Sequence, residues 1–305
     1  MTENIVTTTS TVTMDDGACL HVKVLGDDPK ATKPLLIALH GAPGLSTLVD
    51  PESSFAFLSG TFRVLVFDAR GSGASDLTGP YTHERWINDI ENLREWAGAE
   101  KFLLAGGSYG GFIALDYALL HGDRLLGIIL RDTWANGAVG MMTALANIVT
   151  SDRLRVDVAR QIRVWSGILY DDKDFEEGVM EILPIYDPPE GVSKKAPMSN
   201  DTGPKTFEGF VPTVSKYHSA TQNAAFGVNM PRFDVRHRLK EIKAPTLVVV
   251  GRHDYIAPVH FSQEIADGIP NARLEIFEHS GHAPPADEPE KFQDTVWSFL
   301  KAEVL

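Results

Sequence analysis

The chain alternates between short unbroken apolar runs and longer segments in which apolar residues return every three or four positions. The runs at 35–39 (Leu-Leu-Ile-Ala-Leu), 64–67 (Val-Leu-Val-Phe), 103–105, 125–130 and 246–250 are apolar at nearly all odd and even positions alike. Successive strand side chains point to opposite faces, so such runs predict strands covered on both sides, as in a parallel sheet. A further strand is predicted at 274–277, and 6–25 reads as two strands joined at Asp15-Asp16-Gly17. Between the strands the spacing predicts helices. Thr82 caps one that runs to about Ala97, with Trp86, Ile90, Leu93 and Trp96 near helical spacing; others are expected over 109–121, 259–269 and 289–304. Strands alternating with helices predict an α/β fold with a mostly parallel central sheet and helices on both faces.

The alternation stops between 133 and 231. Residues 134–180 read as helical throughout, 184–206 is an irregular loop rich in Pro, Gly, Ser and Lys, and 207–228 predicts one or two more helices. The expected organisation is a core of 1–132 and 232–305 with a helical cap, 133–231, inserted after the strand at 125–130. The 41 acidic and 28 basic residues give a net charge of −13, which argues against nucleic acid or an anionic membrane as partner. No apolar run approaches the roughly 20 residues that span a bilayer. The single cysteine, Cys19, permits no intrachain disulfide, and Met1 to Ser10 has neither the basic start nor the apolar stretch of a secretory signal, so a cytoplasmic location is expected. The oligomeric state is left open.

The candidate chemistry lies at the ends of the apolar runs. The run at 103–105 leads into Gly106-Gly107-Ser108-Tyr109-Gly110-Gly111, and a helical pattern begins at once. A nucleophilic serine projecting from a tight strand-to-helix turn requires small neighbours two positions away, and Gly106 and Gly110 meet that need. A serine hydroxyl needs a base, and the base needs an acid to orient it. His282, in Ser280-Gly281-His282, follows the last predicted strand, and Asp254 follows the strand before it, in the chain order Ser, Asp, His. Asp132, after the run at 125–130, is an alternative acid, and His253 and His279 are alternative bases. In His40-Gly41-Ala42-Pro43-Gly44 the N–H of Ala42 is the expected oxyanion donor together with the N–H of Tyr109, with Gly41 as fallback; Pro43 has no N–H to offer. In Asp68-Ala69-Arg70-Gly71 an Asp68–Arg70 structural pair is expected. No zinc, calcium, phosphate-loop or dinucleotide motif is present, so no metal and no cofactor is expected.

These motifs, with Gly251-Arg252-His253-Asp254, run nearly the length of the core. On them the chain resembles the α/β-hydrolase superfamily, and within it the proline iminopeptidase group. The resemblance implies a serine hydrolase that removes an N-terminal residue from short peptides, holding the free amine with carboxylates of the cap. The chain departs from that pattern: 219–226 carries no acid, Ser166 follows Trp165, and Tyr109 and Gly111 occupy the elbow. Glu177, Glu181 and Asp187 are the acids left to substitute. Trp134, Trp165, Tyr186, Phe210, Tyr217 and Phe226 are candidates to line an apolar substrate pocket. The expected function is acyl transfer to Ser108 from a small amide, short-peptide or ester substrate. The alternatives are an esterase or lactonase acting on a small metabolite, which needs no carboxylate for an amine, and a non-catalytic binding protein of the same fold.

Overall fold

The computed structural model describes residues 6–28, 30–192 and 216–305. The expectations that fall on 193–215, including much of the loop and Phe210, lie outside the described residues. Eight strands, β1 (Thr7–Thr13), β2 (Cys19–Leu25), β3 (Leu35–Leu39), β4 (Arg63–Phe67), β5 (Phe102–Gly107), β6 (Leu125–Arg131), β7 (Thr246–Gly251) and β8 (Ala272–Phe277), form one sheet in the order β1-β2-β4-β3-β5-β6-β7-β8. β1 and β2 pair antiparallel, β2 joins β4 antiparallel, and β3 to β8 run parallel.

The period of two decides which side chain enters which core. Leu35, Ile37, Leu65, Phe67, Phe102, Leu104, Ile128 and Leu130 pack on one face, against α2 (His83–Trp96), α3 (Tyr109–His121) and α8 (Val259–Gly268). Leu36, Ala38, Val64, Val66, Leu103, Ala105 and Ile129 pack on the other, against α1 (Val49–Phe55) and α10 (Pro289–Glu303). Every residue of β3, β4 and β5 is buried, which is why these strands read as unbroken apolar runs. The Thr82 hydroxyl caps α2 by accepting the Arg85 N–H at 3.2 Å, but Trp96, in the last turn, is 45% exposed.

The segment 134–180 is not one helical stretch. It divides into α4 (Gly137–Thr150), α5 (Val158–Ser166) and the start of α6 (Asp172–Ile182), and side chains set the divisions. Asn136, Asp157 and Asp171 accept N–H groups in the first turns of α4, α5 and α6 respectively. Gly167, at φ 65°, ends α5 in the left-handed region. α7 (Ser219–Ala224) runs on as a π turn to Asn229, and a short α9 (Pro284–Asp287) precedes α10. Arg163 clamps α5 to α6 through both carboxylate oxygens of Asp174, at 2.6 and 2.8 Å. Among the described residues no helix is long and apolar enough to cross a membrane.

Candidate active site

β5 ends at Gly107 and α3 begins at Tyr109, leaving Ser108 at the junction with φ 51° and ψ −118°. L-residues avoid this region, so the turn is held by its surroundings. A Cβ at Gly106 would lie 2.3 Å from the Gly110 carbonyl oxygen, so no larger residue fits beneath the turn. The Ser108 N–H donates to Arg131 O at 2.8 Å, and the Thr133 hydroxyl donates to Ser108 O at 3.0 Å. Because β5, β6, β7 and β8 are neighbours and parallel, Ser108, Asp132, Asp254 and His282 all leave the sheet at one edge.

His282 and Asp254 are brought together. Nδ1 of His282 lies 2.7 Å from Asp254 Oδ2, with both side chains buried. Asp254 Oδ1 accepts the N–H groups of Ile256 and Ala257, each at 2.8 Å, which locks the carboxylate. A hydrogen bond from Nδ1–H leaves Nε2 as the basic nitrogen. Among the described residues Nε2 is buried without a partner, and the Ser108 hydroxyl also makes no hydrogen bond. Nε2 of His282 and the Ser108 hydroxyl are thus both left uncommitted. Burial is the largest influence on the ring and opposes its charge, but the Asp254 carboxylate and its hydrogen bond outweigh it and raise the His282 pKa above 6.5. His253 and His279 are anchored here through backbone, His253 N–H to Ser280 O at 2.9 Å and His279 N–H to Glu288 at 2.8 Å.

Asp132 stands beside this pair. One oxygen of each carboxylate and one His282 nitrogen lie within 4.8 Å of one another. Burial, and then the neighbouring Asp254 charge, push the Asp132 carboxyl up to about 8. The trio has the residue types of a cation site, but Asp254 is already committed to three hydrogen bonds. Arg131 went unremarked in the sequence reading. Its guanidinium packs against Gly107, where a Cβ would meet Nη2 at 2.4 Å, and donates to His282 O at 3.1 Å and to Asp50 at 3.1 and 3.2 Å. It braces the elbow against the histidine loop. The visible signal was a lone cation closing an apolar strand.

The loop after β3 lies against Ser108: a Cβ at Gly41 would be 3.1 Å from Ser108 Cβ. The N–H groups of Ala42 and Tyr109 have no acceptor among the described residues, and Ala42 has φ 29°. His40 sets the loop. Its Nε2 accepts the Ala69 N–H at 2.9 Å, so Nδ1 carries the proton and donates to Gly41 O at 2.7 Å. Burial lowers the His40 pKa, consistent with a neutral ring. The C=O and N–H of a trans peptide point oppositely, so pinning the Gly41 carbonyl to His40 aims the Ala42 N–H away from it. A cavity of about 30 Å³, lined by His40, Gly41, Pro43, Trp86, Tyr109 and Gly110 among others, lies behind this loop rather than at His282. The Asp68–Arg70 pair does not form. Asp68 accepts the N–H groups of Leu48 and Ala74, at 2.7 and 2.9 Å, whereas buried Arg70 pairs with Asp89 and Asp16. The turn sends the two side chains to different partners.

Among the described residues, the helical stretch after β6 meets the site at several places. The His282 N–H donates to Tyr186 O at 2.8 Å, and the two rings meet edge-on at 5.1 Å. Phe226 lies 5.7 Å from Tyr109, and Trp165 meets Phe226 at 5.5 Å. The His218 N–H donates to Gly44 O at 2.8 Å. Trp134 stacks on Phe112 at 4.9 Å, and Tyr217 packs against Phe175 at 5.5 Å. Of the substitute acids, Glu177 and Glu181 are both engaged by Arg160.

The α/β hydrolase fold family matches residues 34–289. A proline iminopeptidase, PfmaB, of Pestalotiopsis fici is 30% identical over 88% of this chain and 91% of its own. A putative carbamate hydrolase, RutD, of Pseudomonas savastanoi pv. phaseolicola is 26% identical over 90% and 96%. An esterase of Exiguobacterium antarcticum superposes with a TM-score of 0.69 at 25% identity, covering 96% of this chain and 100% of that one. The chain belongs to the α/β-hydrolase family, and its chemistry is hydrolysis.

Proposed function

We propose that the protein is a serine hydrolase that cleaves a small amide, short-peptide or ester substrate through an acyl-enzyme on Ser108. The observation that carries this reading is the strained Ser108 turn at the same sheet edge as a buried His282–Asp254 pair whose Nε2 is uncommitted. Ser108 Oγ attacks the substrate carbonyl as His282 Nε2 takes its proton, and Asp254 steadies the imidazolium. The Ala42 and Tyr109 N–H groups receive the oxyanion, each contributing about 3 kcal/mol. His282 then returns the proton to the leaving group. Water, deprotonated by the same nitrogen, releases the acid and regenerates Ser108.

Residues 133–231 act as the cap, and Trp165, Tyr186 and Phe226 face the acyl group. The relatives' printed names, a proline iminopeptidase and a putative carbamate hydrolase, support small substrates. Engagement of Glu177 and Glu181 by Arg160 means that a substrate ammonium would have to displace an existing ion pair. The net charge of −13 and the single, unpaired Cys19 support a cytoplasmic enzyme without nucleic-acid or membrane partners. Two measurements test the reading. Ser108→Ala should fold yet lose fluorophosphonate labelling and turnover, and retained turnover refutes it. Comparing kcat/KM for a proline arylamide with that for short acyl esters separates the substrate classes.

A further inference from the structure

The hydrolytic scheme leaves one buried acid unused. Asp132 follows β6 as Asp254 follows β7, its side chain is fully buried, and its backbone sits at φ 51°. That strained turn carries the carboxyl inward, to within 4.8 Å of both Asp254 and His282. The charged and titratable groups around it come from several elements. Arg131, adjacent in the chain, places Nη1 3.5 Å from Asp132 Oδ2 and is itself paired with Asp50 of α1. Asp254 and His282 arrive from the loops after β7 and β8, and Tyr186 of the cap lies over the His282 ring. The Gly251 N–H donates to Asp132 Oδ1 at 3.1 Å.

We propose that Asp132 is a positioning residue for His282: a second carboxyl group serving the same imidazole, able to hold the ring when Asp254 cannot. The inference rests on the reading of Ser108, His282 and Asp254 as the catalytic set. Two acids this close to one ring do not both ionise readily. Asp254 has three short hydrogen bonds to stabilise its charge, whereas Asp132 has one N–H and a long contact to Arg131. The proton therefore resides on Asp132 at neutral pH, in line with its raised pKa. Neutral, Asp132 leaves Asp254 as the one charge facing the imidazolium. Removing the Asp254 charge relieves the repulsion, and Asp132 then ionises in its place.

The experiment measures kcat/KM from pH 5 to 10 for an ester that the wild type hydrolyses, in wild type, Asp132→Asn, Asp254→Asn, the double variant and Ser108→Ala. Asp254→Asn should retain at least about tenfold more activity than the double variant, and Asp132→Asn should lose a change in the wild-type profile centred near pH 8. Equal rates for Asp254→Asn and the double variant, with an Asp132→Asn profile superimposable on wild type, overturn the proposal. Retained turnover in Ser108→Ala instead sinks the underlying assignment of the nucleophile. Asparagine keeps an acceptor for the Gly251 N–H, so the loop should survive. A measurement free of variants stands beside these: in wild type labelled with carboxyl-¹³C aspartate, one resonance should titrate near pH 8, and its absence overturns the proposal.

Discussion

Gly281→Ala tests how the turn at 186–188 holds His282 in its proposed catalytic place. A Cβ at Gly281 would lie 2.2 Å from Tyr186 O, 2.8 Å from Asp187 C and 2.9 Å from Pro188 N, all backbone atoms. Contacts below 3.0 Å are essentially never seen, so the histidine loop and the cap segment must separate by at least about 0.8 Å. The segment has little room to give, because Arg153 Nη2 donates to Pro184 O at 2.6 Å and to Asp187 O at 2.9 Å. Overpacking of this kind costs about 1–3 kcal/mol. Losing the bond from the buried His282 N–H to Tyr186 O adds about 1–3 kcal/mol. Urea unfolding should therefore show a loss of roughly 2–6 kcal/mol. A general base displaced by close to 1 Å should lower kcat on the order of 100-fold. Gly60→Ala is the control, since nothing lies within 4 Å of its Cβ. Wild-type stability and kcat in Gly281→Ala would refute the reasoning, for they would mean that the cap does not rest on the histidine loop.

Only neutral His282 can accept the Ser108 proton, and its pKa is raised, so kcat/KM should climb with pH through a midpoint above 6.5; a midpoint at or below that value contradicts the site's electrostatics. Asp132 binds its proton up to about pH 8 when folded but only to about 3.8 when unfolded, so its contribution to stability falls as pH rises across that window. Asp132→Asn lacks this proton, and urea unfolding should show its stability gaining on wild type between pH 5 and 8; a constant gap refutes the burial argument. Arg153→Ala removes a charged donor from the turn over His282 and should cost roughly 1.5–3 kcal/mol with a lower kcat; unchanged values would show that the turn stands without it. His40→Phe frees the Gly41 carbonyl and should lower kcat up to about 100-fold with little change in KM, as steady-state kinetics will show; a change in KM alone would remove His40 from the oxyanion loop.

Much of the sheet was legible because burial on both faces leaves a mark in residue type: β3, β4 and β5 are apolar at nearly every position and were read as covered strands. The helical stretch after β6 was less legible. Asp157, Gly167 and Asp171 divide its helices, yet each is also tolerated inside a helix or loop, so the pattern alone ran them together. α1 is seven residues long, too short for a periodic signal. Asp68 and Arg70 are two positions apart, and proximity in sequence suggested a pair that the turn pulls apart. His40 and Arg131 hold the two loops of the site, but their partners are carbonyls and N–H groups, which residue types do not record.

The sequence by itself determined a parallel sheet, a serine on a strand-to-helix turn, and acids and histidines at the ends of later strands. These follow from side-chain alternation and from the steric demands of a turn, which act over a few neighbouring residues. Only the tertiary structure decided which acid bonds the histidine. Asp254 holds His282 because the N–H groups of Ile256 and Ala257 fix its carboxylate 2.7 Å from Nδ1, while Asp132, at the next strand end, is left beside them without that support. That choice depends on differences of an ångström between loops distant in sequence, and hydrogen bonding is steep enough over that distance to settle it.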